Sequence, residues 1–264
     1  MNKIGFIGMG NMGYALMNGC LKFFDKEDVI FFDTNTDRCN DVSSETGVNY
    51  VSSVNELVEN AKFVVLAIKP QVYSEALEGV SESVGDDTII ISLAPGITVD
   101  KVNELTSADK IIRTMPNTPA MVGEGMTGIC YDEEKFSPDE EVIIDKIFNS
   151  VGKYKKVDES LMDAVVCASG SSPAYVFMFI DYLAKSVEKL GLTREESIDF
   201  VSQTVLGSAK LLMETGEDPE VLKQNVCSPG GTTIEGVKKL DENELQKAID
   251  EATEACFKRC KELQ

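Results

Sequence analysis

The sequence of 264 residues contains no histidine. Metal sites built on imidazole are thereby excluded, and no metal centre is expected. Basic residues are scarce as well: 25 Lys and Arg stand against 45 Asp and Glu, a net charge of −20. So acidic a chain is a poor partner for nucleic acid and for anionic membranes. Long apolar runs are missing too. The run from Ala174 to Ile180 is interrupted by Asp181, so no stretch is expected to reach membrane-spanning length. Disulfide or zinc patterns are also lacking. The seven cysteines (Cys20, Cys39, Cys130, Cys167, Cys227, Cys256 and Cys260) are odd in number and have no zinc-finger spacing. Cys256 and Cys260 lie one helical turn apart, which is poor disulfide geometry. A reducing, cytoplasmic setting is the simplest reading. The first strand begins so early that no charged-then-apolar leader is expected.

What is present is an ordinary globular composition, 43% hydrophobic and 27% charged, with length for two domains or one large one. Lys3-Ile4-Gly5-Phe6-Ile7 reads as a buried strand, and Tyr14-Ala15-Leu16-Met17 begins a helical pattern. Between them stands Gly8-Met9-Gly10-Asn11-Met12-Gly13, a Gly-x-Gly-x-x-Gly run in the strand-to-helix setting that gives it meaning. Gly8 permits the tight turn, Gly10 lets a pyrophosphate approach, and Gly13 lets the helix pack close to the strand. The free amides at the helix start then face an anion, supplying positive potential that the chain otherwise lacks. Asp33 ends a second strand, twenty residues after Gly13. A carboxylate there accepts hydrogen bonds from the adenosine ribose of NAD and repels a 2′-phosphate, so Asp33 favours NADH. Arg38, five residues on, can still pair with a 2′-phosphate, and Asp33 can equally be a plain cap or turn residue.

Alternating strand and helix patterns continue. Strands are expected at 48–51, 63–68, 88–92, 110–113, 128–131 and 152–157. Helices are expected over 13–24, 37–46, 55–60, 71–84, 99–105 and 139–150. The run 63–68 is apolar throughout, as a strand buried on both faces must be, and ends in Lys69-Pro70 where open α/β sheets bind ligands. The pattern is a doubly wound Rossmann domain over 1–158. From Glu159 onward the apolar spacing becomes helical, predicting an all-helical domain over 159–264. Helices are expected over 161–168, 173–190, 194–214, 219–224, 233–240 and 244–263. In the last, Leu245, Ala248, Ile249, Ala252, Cys256, Cys260 and Leu263 share one face. Long apolar faces point to packing against a second subunit, with a single internal core as the alternative.

Between two of these helices stands Asn225-Val226-Cys227-Ser228-Pro229-Gly230-Gly231-Thr232-Thr233-Ile234. Pro-Gly-Gly is a turn opening onto a helix N-terminus, and hydroxyls flank it. It reads either as a neutral carboxylate-binding nest, which needs no arginine, or as a capped interhelical turn.

With this motif in view, the whole chain resembles the pyrroline-5-carboxylate reductases of proline biosynthesis. The resemblance rests on Ser228 to Ile234 first. Further matches are Ile7 to Gly13, Ala67-Ile68-Lys69-Pro70-Gln71, Arg113-Thr114-Met115-Pro116-Asn117-Thr118-Pro119 and Ser169-Gly170-Ser171-Ser172-Pro173-Ala174-Tyr175. Ser172 stands where the family usually has Gly, and Cys227 where it has Ser or Thr. Many members carry a neutral residue and a nearby Arg where Asp33 and Thr34 stand, so the family's frequent NADPH use is in doubt here. The resemblance implies hydride transfer from NADPH or NADH to the ring C=N bond of a cyclic imine carboxylate, 1-pyrroline-5-carboxylate, giving L-proline. It implies cofactor contacts from Ile7, Gly8, Met9, Gly10, Asn11, Met12, Thr34, Asn55, Ala67, Ile68, Lys69, Pro70, Leu93, Ala94, Pro95 and Asn225, beside the Asp33 read from its own position. It assigns the substrate to Ser228, Gly230, Gly231, Thr232 and Thr233, with Met115 and Asn117. It further implies an interlocked homodimer, within a larger ring in many members, with substrate at the dimer interface.

The residues suit that chemistry. A cyclic imine binds already protonated, and hydride attack gives a neutral amine, so no strong general acid is needed. A hydroxyl such as Thr233 suffices to orient the ring nitrogen. Lys69 is the rival proton donor, although a structural or phosphate-facing role suits it better. Glu159 and Glu217 read as exposed carboxylates within possible reach of the substrate amine, Tyr175 as packing, and Cys227 as chemically silent. Two rival functions remain: a β-hydroxyacid dehydrogenase-like enzyme and a non-catalytic dinucleotide-binding regulator. The dehydrogenases need a lysine on a central helix, and the stretch Ser169 to Tyr175 has none.

Overall fold

The computed structural model describes residues 3–262, so Leu263 of the last predicted apolar face lies outside the described residues. Strand β1 (Ile4–Ile7) leads through the glycine run into α1 (Asn11–Cys20). This helix stops four residues before its expected end, because residues 21–24 close in tight turns onto the carbonyls of Met17, Gly19 and Cys20. Then follow β2 (Val29–Phe32), α2 (Thr36–Thr46), β3 (Asn49–Tyr50), α3 (Val54–Asn60) and β4 (Phe63–Leu66). The helix expected over 71–84 is instead a 3-10 turn at Pro70–Val72, one α-turn α4 (Tyr73–Ala76) and a second 3-10 turn at Val80–Glu82. Gly79, at φ +73°, breaks the run, and Tyr73 is fully buried with its hydroxyl on Ser92 Oγ (3.0 Å) and Leu66 O (3.2 Å). Tertiary packing outweighs helix spacing there. The chain continues through β5 (Ile89–Ser92), α5 (Val99–Thr106), β6 (Lys110–Met115), β7 (Gly125–Cys130), α6 (Pro138–Asn149) and β8 (Gly152–Lys156).

Among the described residues these eight strands form one sheet in the order β3-β2-β1-β4-β5-β6-β7-β8. Strands β1 to β6 pair in parallel, β7 runs antiparallel to β6, and β8 is parallel to β7. The order reverses between β1 and β4, which places the ligand crevice of a doubly wound sheet at their carboxyl ends. Helices cover both faces. Leu16, Met17, Val42, Ile144 and Phe148 build one core, and Leu57, Val58, Tyr73, Leu77 and Val102 the other. Because both faces are covered, β1, β4 and β5 are buried along their whole length, which is why they read as unbroken apolar runs.

One carboxylate fastens the opposite, amino end of the sheet. Ser137 caps α6 in a capping box with Glu140. Buried Glu140 also takes Lys62 at 2.8 Å and Lys110 at 2.9 Å, the residues that precede β4 and open β6. Burial alone would raise its pKa. Lys62, the Ser137 amide and Lys110 together outweigh burial and hold it at about 2. A folded pKa below the ordinary 4.5 means the stabilisation is complete above that value and is lost as pH falls towards 2. We expect about 3 kcal/mol of stability to disappear between pH 5 and pH 2 through this group. Glu140→Gln should be less stable than the native chain at pH 7 but flatter with acid. Equal pH slopes in urea unfolding of the two proteins would sink the assignment.

Past β8 the chain is helical: α7 (Met162–Val165), a π-turn at Val166–Gly170, α8 (Ser172–Glu188), α9 (Arg194–Thr215), α10 (Pro219–Val226), α11 (Thr232–Glu242) and α12 (Leu245–Glu262). The π-turn interrupts the single helix expected over 161–168. Two compact units result. One comprises the chain up to Pro173 together with the chain from Phe257 onward; the other is Ala174–Cys256. The expectation that no stretch reaches bilayer length is corrected: the helical run Glu159–Glu188, 30 residues long, is apolar enough on length and composition alone. In the second unit apolar side chains stay uncovered, Phe177 being 63% and Phe200 65% exposed. The stripe on α12 is exposed at Leu245 and Ile249 and becomes buried only at Cys260.

Candidate active site

The glycine run has three separate geometric jobs. Gly8 sits at φ +97°, donates its amide to Phe32 O at 2.8 Å, and has no room for a side chain, since a Cβ would lie 2.8 Å from Ala67 O. A Cβ on Gly13 would overlap the carbonyl oxygen of Gly8. Gly10 is the opposite case: a Cβ there would meet nothing within 4 Å. It is also the N-cap of α1 and contributes no side-chain cap, so the first amides of α1 present their donors without a competing side chain. Open space over bare helix amides fits the pyrophosphate of a dinucleotide.

Beside the loop, at the carboxyl ends of β1, β2 and β4, lies a cavity of about 480 Å³ lined by Gly8, Asp33, Thr34, Val54, Ile68 and Glu75 among others. Its charged lining residues are both carboxylates. Asp33 is less available than the sequence implies. Its Oδ2 accepts the Met9 amide at 2.6 Å and its Oδ1 accepts the Asn35 amide at 2.9 Å. Ile7 and Met9 are buried, Asn11 is exposed and Met12 half-buried. Asn55, at the start of α3, donates to Gly79 O at 3.4 Å. Ala67, Ile68 and Pro70 are half-buried after β4, and Lys69 is exposed; Leu93 and Ala94 are buried after β5, with Pro95 half-buried.

Met115 ends β6. Asn117 is buried and its Oδ1 accepts the Met126 amide at 2.9 Å, so that oxygen is committed to holding β7. Sequence reasoning assigned it to the substrate. Glu159, considered for a substrate amine, is likewise committed: its Oε1 takes Arg113 Nη1 at 3.0 Å and the Val99 amide at 2.9 Å. One feature escaped sequence reasoning. The Ser171 amide bonds Val166 O at 2.8 Å, closing the π-turn, and a Cβ on Gly170 would run into the Met115 methyl. Such turns concentrate at functional sites, and the Ser-Gly-Ser spelling was its available signal.

The second unit carries the remaining predicted residues. The Gly231 amide bonds Ser228 O at 2.9 Å, and Gly230 has φ +70°. Proline followed by a left-handed glycine is the pattern of a type II turn. Gly231 is the N-cap of α11 and supplies no side-chain cap. Ser228, Gly230 and Thr232 are exposed, Gly231 and Thr233 half-buried, and Asn225 is exposed near the end of α10. Amides on a turn and a helix start, flanked by hydroxyls, suit a carboxylate.

Similarity to known proteins is extensive. The family model for pyrroline-5-carboxylate reductase dimerisation matches residues 159–263, and the model for NADP oxidoreductase, coenzyme F420-dependent, matches residues 3–96. A pyrroline-5-carboxylate reductase of Escherichia coli is 37% identical over 99% of this chain and 98% of its own. The structure of such a reductase from Coxiella burnetii matches with a TM-score of 0.91 and 32% identity, over 100% of this chain and 98% of that one. That of a Plasmodium falciparum pyrroline carboxylate reductase with NADP bound matches with a TM-score of 0.88 and 31% identity, over 99% and 98%.

Proposed function

The chain belongs to the pyrroline-5-carboxylate reductase family, and from that premise we propose how its residues carry the reaction. The enzyme reduces 1-pyrroline-5-carboxylate to L-proline with NAD(P)H. When bound, the nicotinamide supplies the hydride. The chain's own residues have to bind, orient and neutralise. The observation that carries the reading is the Ser228–Gly231 turn opening α11 without a cap, a carboxylate site that needs no arginine. In this proposal the amides of Gly230, Gly231 and Thr232 hold the substrate carboxylate, with Ser228 and the Thr232 hydroxyl beside them. Thr233 Oγ1 accepts the iminium N–H and orients the ring. Because the product amine is neutral, no side chain has to deliver a proton during hydride transfer. Met115, next to the Gly170 turn, is proposed to border the substrate.

Thr233→Ala is expected to lower kcat/KM by the equivalent of about 1–3 kcal/mol, the loss of one buried hydrogen-bond partner. Unchanged steady-state kinetics would refute the role. The overall reading is tested by turnover of pyrroline-5-carboxylate. A dehydrogenase-like enzyme would instead turn over a 2-hydroxy acid, and a regulator would bind dinucleotide without turnover.

For the cofactor we favour NADH as at least competitive with NADPH. The adenosine-side cavity is lined by Asp33 and Glu75, and a 2′-phosphate there meets two negative charges. The expected result is a kcat/KM with NADH no lower than with NADPH. A strong NADPH preference would overturn it.

The dimerisation region makes the enzyme a homo-oligomer. We propose that the exposed apolar faces of α8, α9 and α12 are covered in the assembly, and that dimers associate into a ring, to be tested by sedimentation. A cytoplasmic enzyme without nucleic-acid or membrane partners is the proposed setting, supported by the net charge of −20.

A further inference from the structure

We propose that Arg38 is a positioning residue for the glycine loop, serving NADH and NADPH alike, rather than a ligand of a 2′-phosphate. The proposal rests on the dinucleotide reading of that loop. Its basis is a closed circuit of hydrogen bonds. Arg38 Nε donates to Met9 O at 3.0 Å. The Met9 amide donates to Asp33 Oδ2 at 2.6 Å. The Asn35 amide donates to Asp33 Oδ1 at 2.9 Å. The Arg38 amide in turn donates to Asn35 Oδ1 at 3.2 Å. Both backbone polar groups of one residue inside the Gly8–Gly13 turn are therefore clamped by ionised side chains, the stronger class of hydrogen bond.

Position in the fold makes the clamp useful. Met9 is buried, and the residue after it is Gly10, whose surroundings are open and whose successor amides start α1. Fixing the Met9 peptide fixes the direction in which those amides point. The Arg38 guanidinium also lies 4.8 Å from the centre of the Tyr14 ring, on the second turn of the same helix. Glu45 beside the Tyr14 hydroxyl raises its pKa. Arg38 is thus braced against α1 while its Nε points back to the loop. Ordering a binding loop before the ligand arrives removes that cost from binding, and the gain applies to any dinucleotide that uses the loop.

The test compares Kd for NADH and for NADPH, read from nicotinamide fluorescence, in the native protein, Arg38→Met and Arg38→Lys. For Arg38→Met both Kd values are expected to rise about tenfold, as for loss of one charged hydrogen bond. Their ratio should stay within about twofold, and kcat at saturating cofactor should be unchanged. Hydrogen exchange in the cofactor-free variant should quicken for amides of residues 9–13 and not for those of β4 and β5. Arg38→Lys keeps charge and one donor and should recover part of the affinity for both cofactors. It also reads the same ratio if the methionine variant does not fold. Weakening of NADPH alone would show a phosphate ligand and overturn the proposal. Unchanged Kd values or unchanged loop exchange would overturn it too. A native protein that binds neither dinucleotide would refute the site reading itself, a result distinct from failure of the clamp.

Discussion

Arg113→Met is expected to cost about 1–3 kcal/mol of stability, because it removes the central cation of a partly buried charge cluster. Arg113 lies on β6 and is only 3% exposed. Its Nη1 bonds Glu159 Oε1 at 3.0 Å, and its Nη2 stands 3.9 Å from Asp163 Oδ1. The other oxygen of buried Asp163 takes Lys261 at 2.7 Å. Glu159 also caps α5 through the Val99 amide. One arginine therefore gathers β6, the start of α5, the turn into α7 and the end of α12. Methionine matches much of the volume and brings no charge, so exposed Glu159 loses its cation and buried Asp163 keeps only Lys261. The neighbouring Cys130 thiol, pushed up to about 11 by burial and then by Glu159, loses the opposing Arg113 as well. Urea unfolding checks the size of the effect. Adding Glu159→Gln should recover part of the loss, since part of the penalty is the carboxylate left without its cation. A loss below about 1 kcal/mol for Arg113→Met would show that the cluster is solvated in solution.

That cluster also marks where sequence reading stops. The Rossmann half was legible because a strand covered on both faces must be apolar throughout, as 63–66 is, and because its loop needs glycine at fixed points. Glu159 is exposed, as its sequence context suggested, but its tie to Arg113, 46 residues away in sequence, comes only from folding. Asp33 was readable as the residue at the end of β2, whereas its bond to the Met9 amide, 24 residues back, comes only from folding. Asn117 was readable from its motif, whereas the bond from the Met126 amide to its oxygen comes only from folding. The helix over 71–84 failed because spacing alone does not register Gly79 at φ +73° or the burial of Tyr73. In the helical unit the pattern told of apolar faces correctly, and a single chain leaves them uncovered.

Gly10→Ala and Gly13→Ala are expected to fail in different ways, and the contrast tests the division of labour within the loop. A Cβ on Gly13 would collide with the backbone oxygen of Gly8 and approach Ala67 Cβ at 2.9 Å. Neither obstacle is the far end of a flexible side chain. The turn or the helix start must move, with a destabilisation of about 1–3 kcal/mol or more and amides misdirected by a large fraction of an ångström. Displacements of about 1 Å cost on the order of hundredfold in rate, so Gly13→Ala should lose both stability and at least about hundredfold in kcat/KM. At Gly10 the added methyl meets no protein atom within 4 Å, so the cofactor-free protein should unfold at the native urea concentration. The same methyl occupies the space kept for the pyrophosphate, and dinucleotide affinity should fall by a comparable factor. The measurement is paired: unfolding without cofactor, and Kd for NADH. If Gly10→Ala binds NADH normally, the open space over the α1 amides is not where the pyrophosphate sits. If Gly13→Ala unfolds like the native chain, the close approach of α1 to Gly8 is not a constraint on the fold.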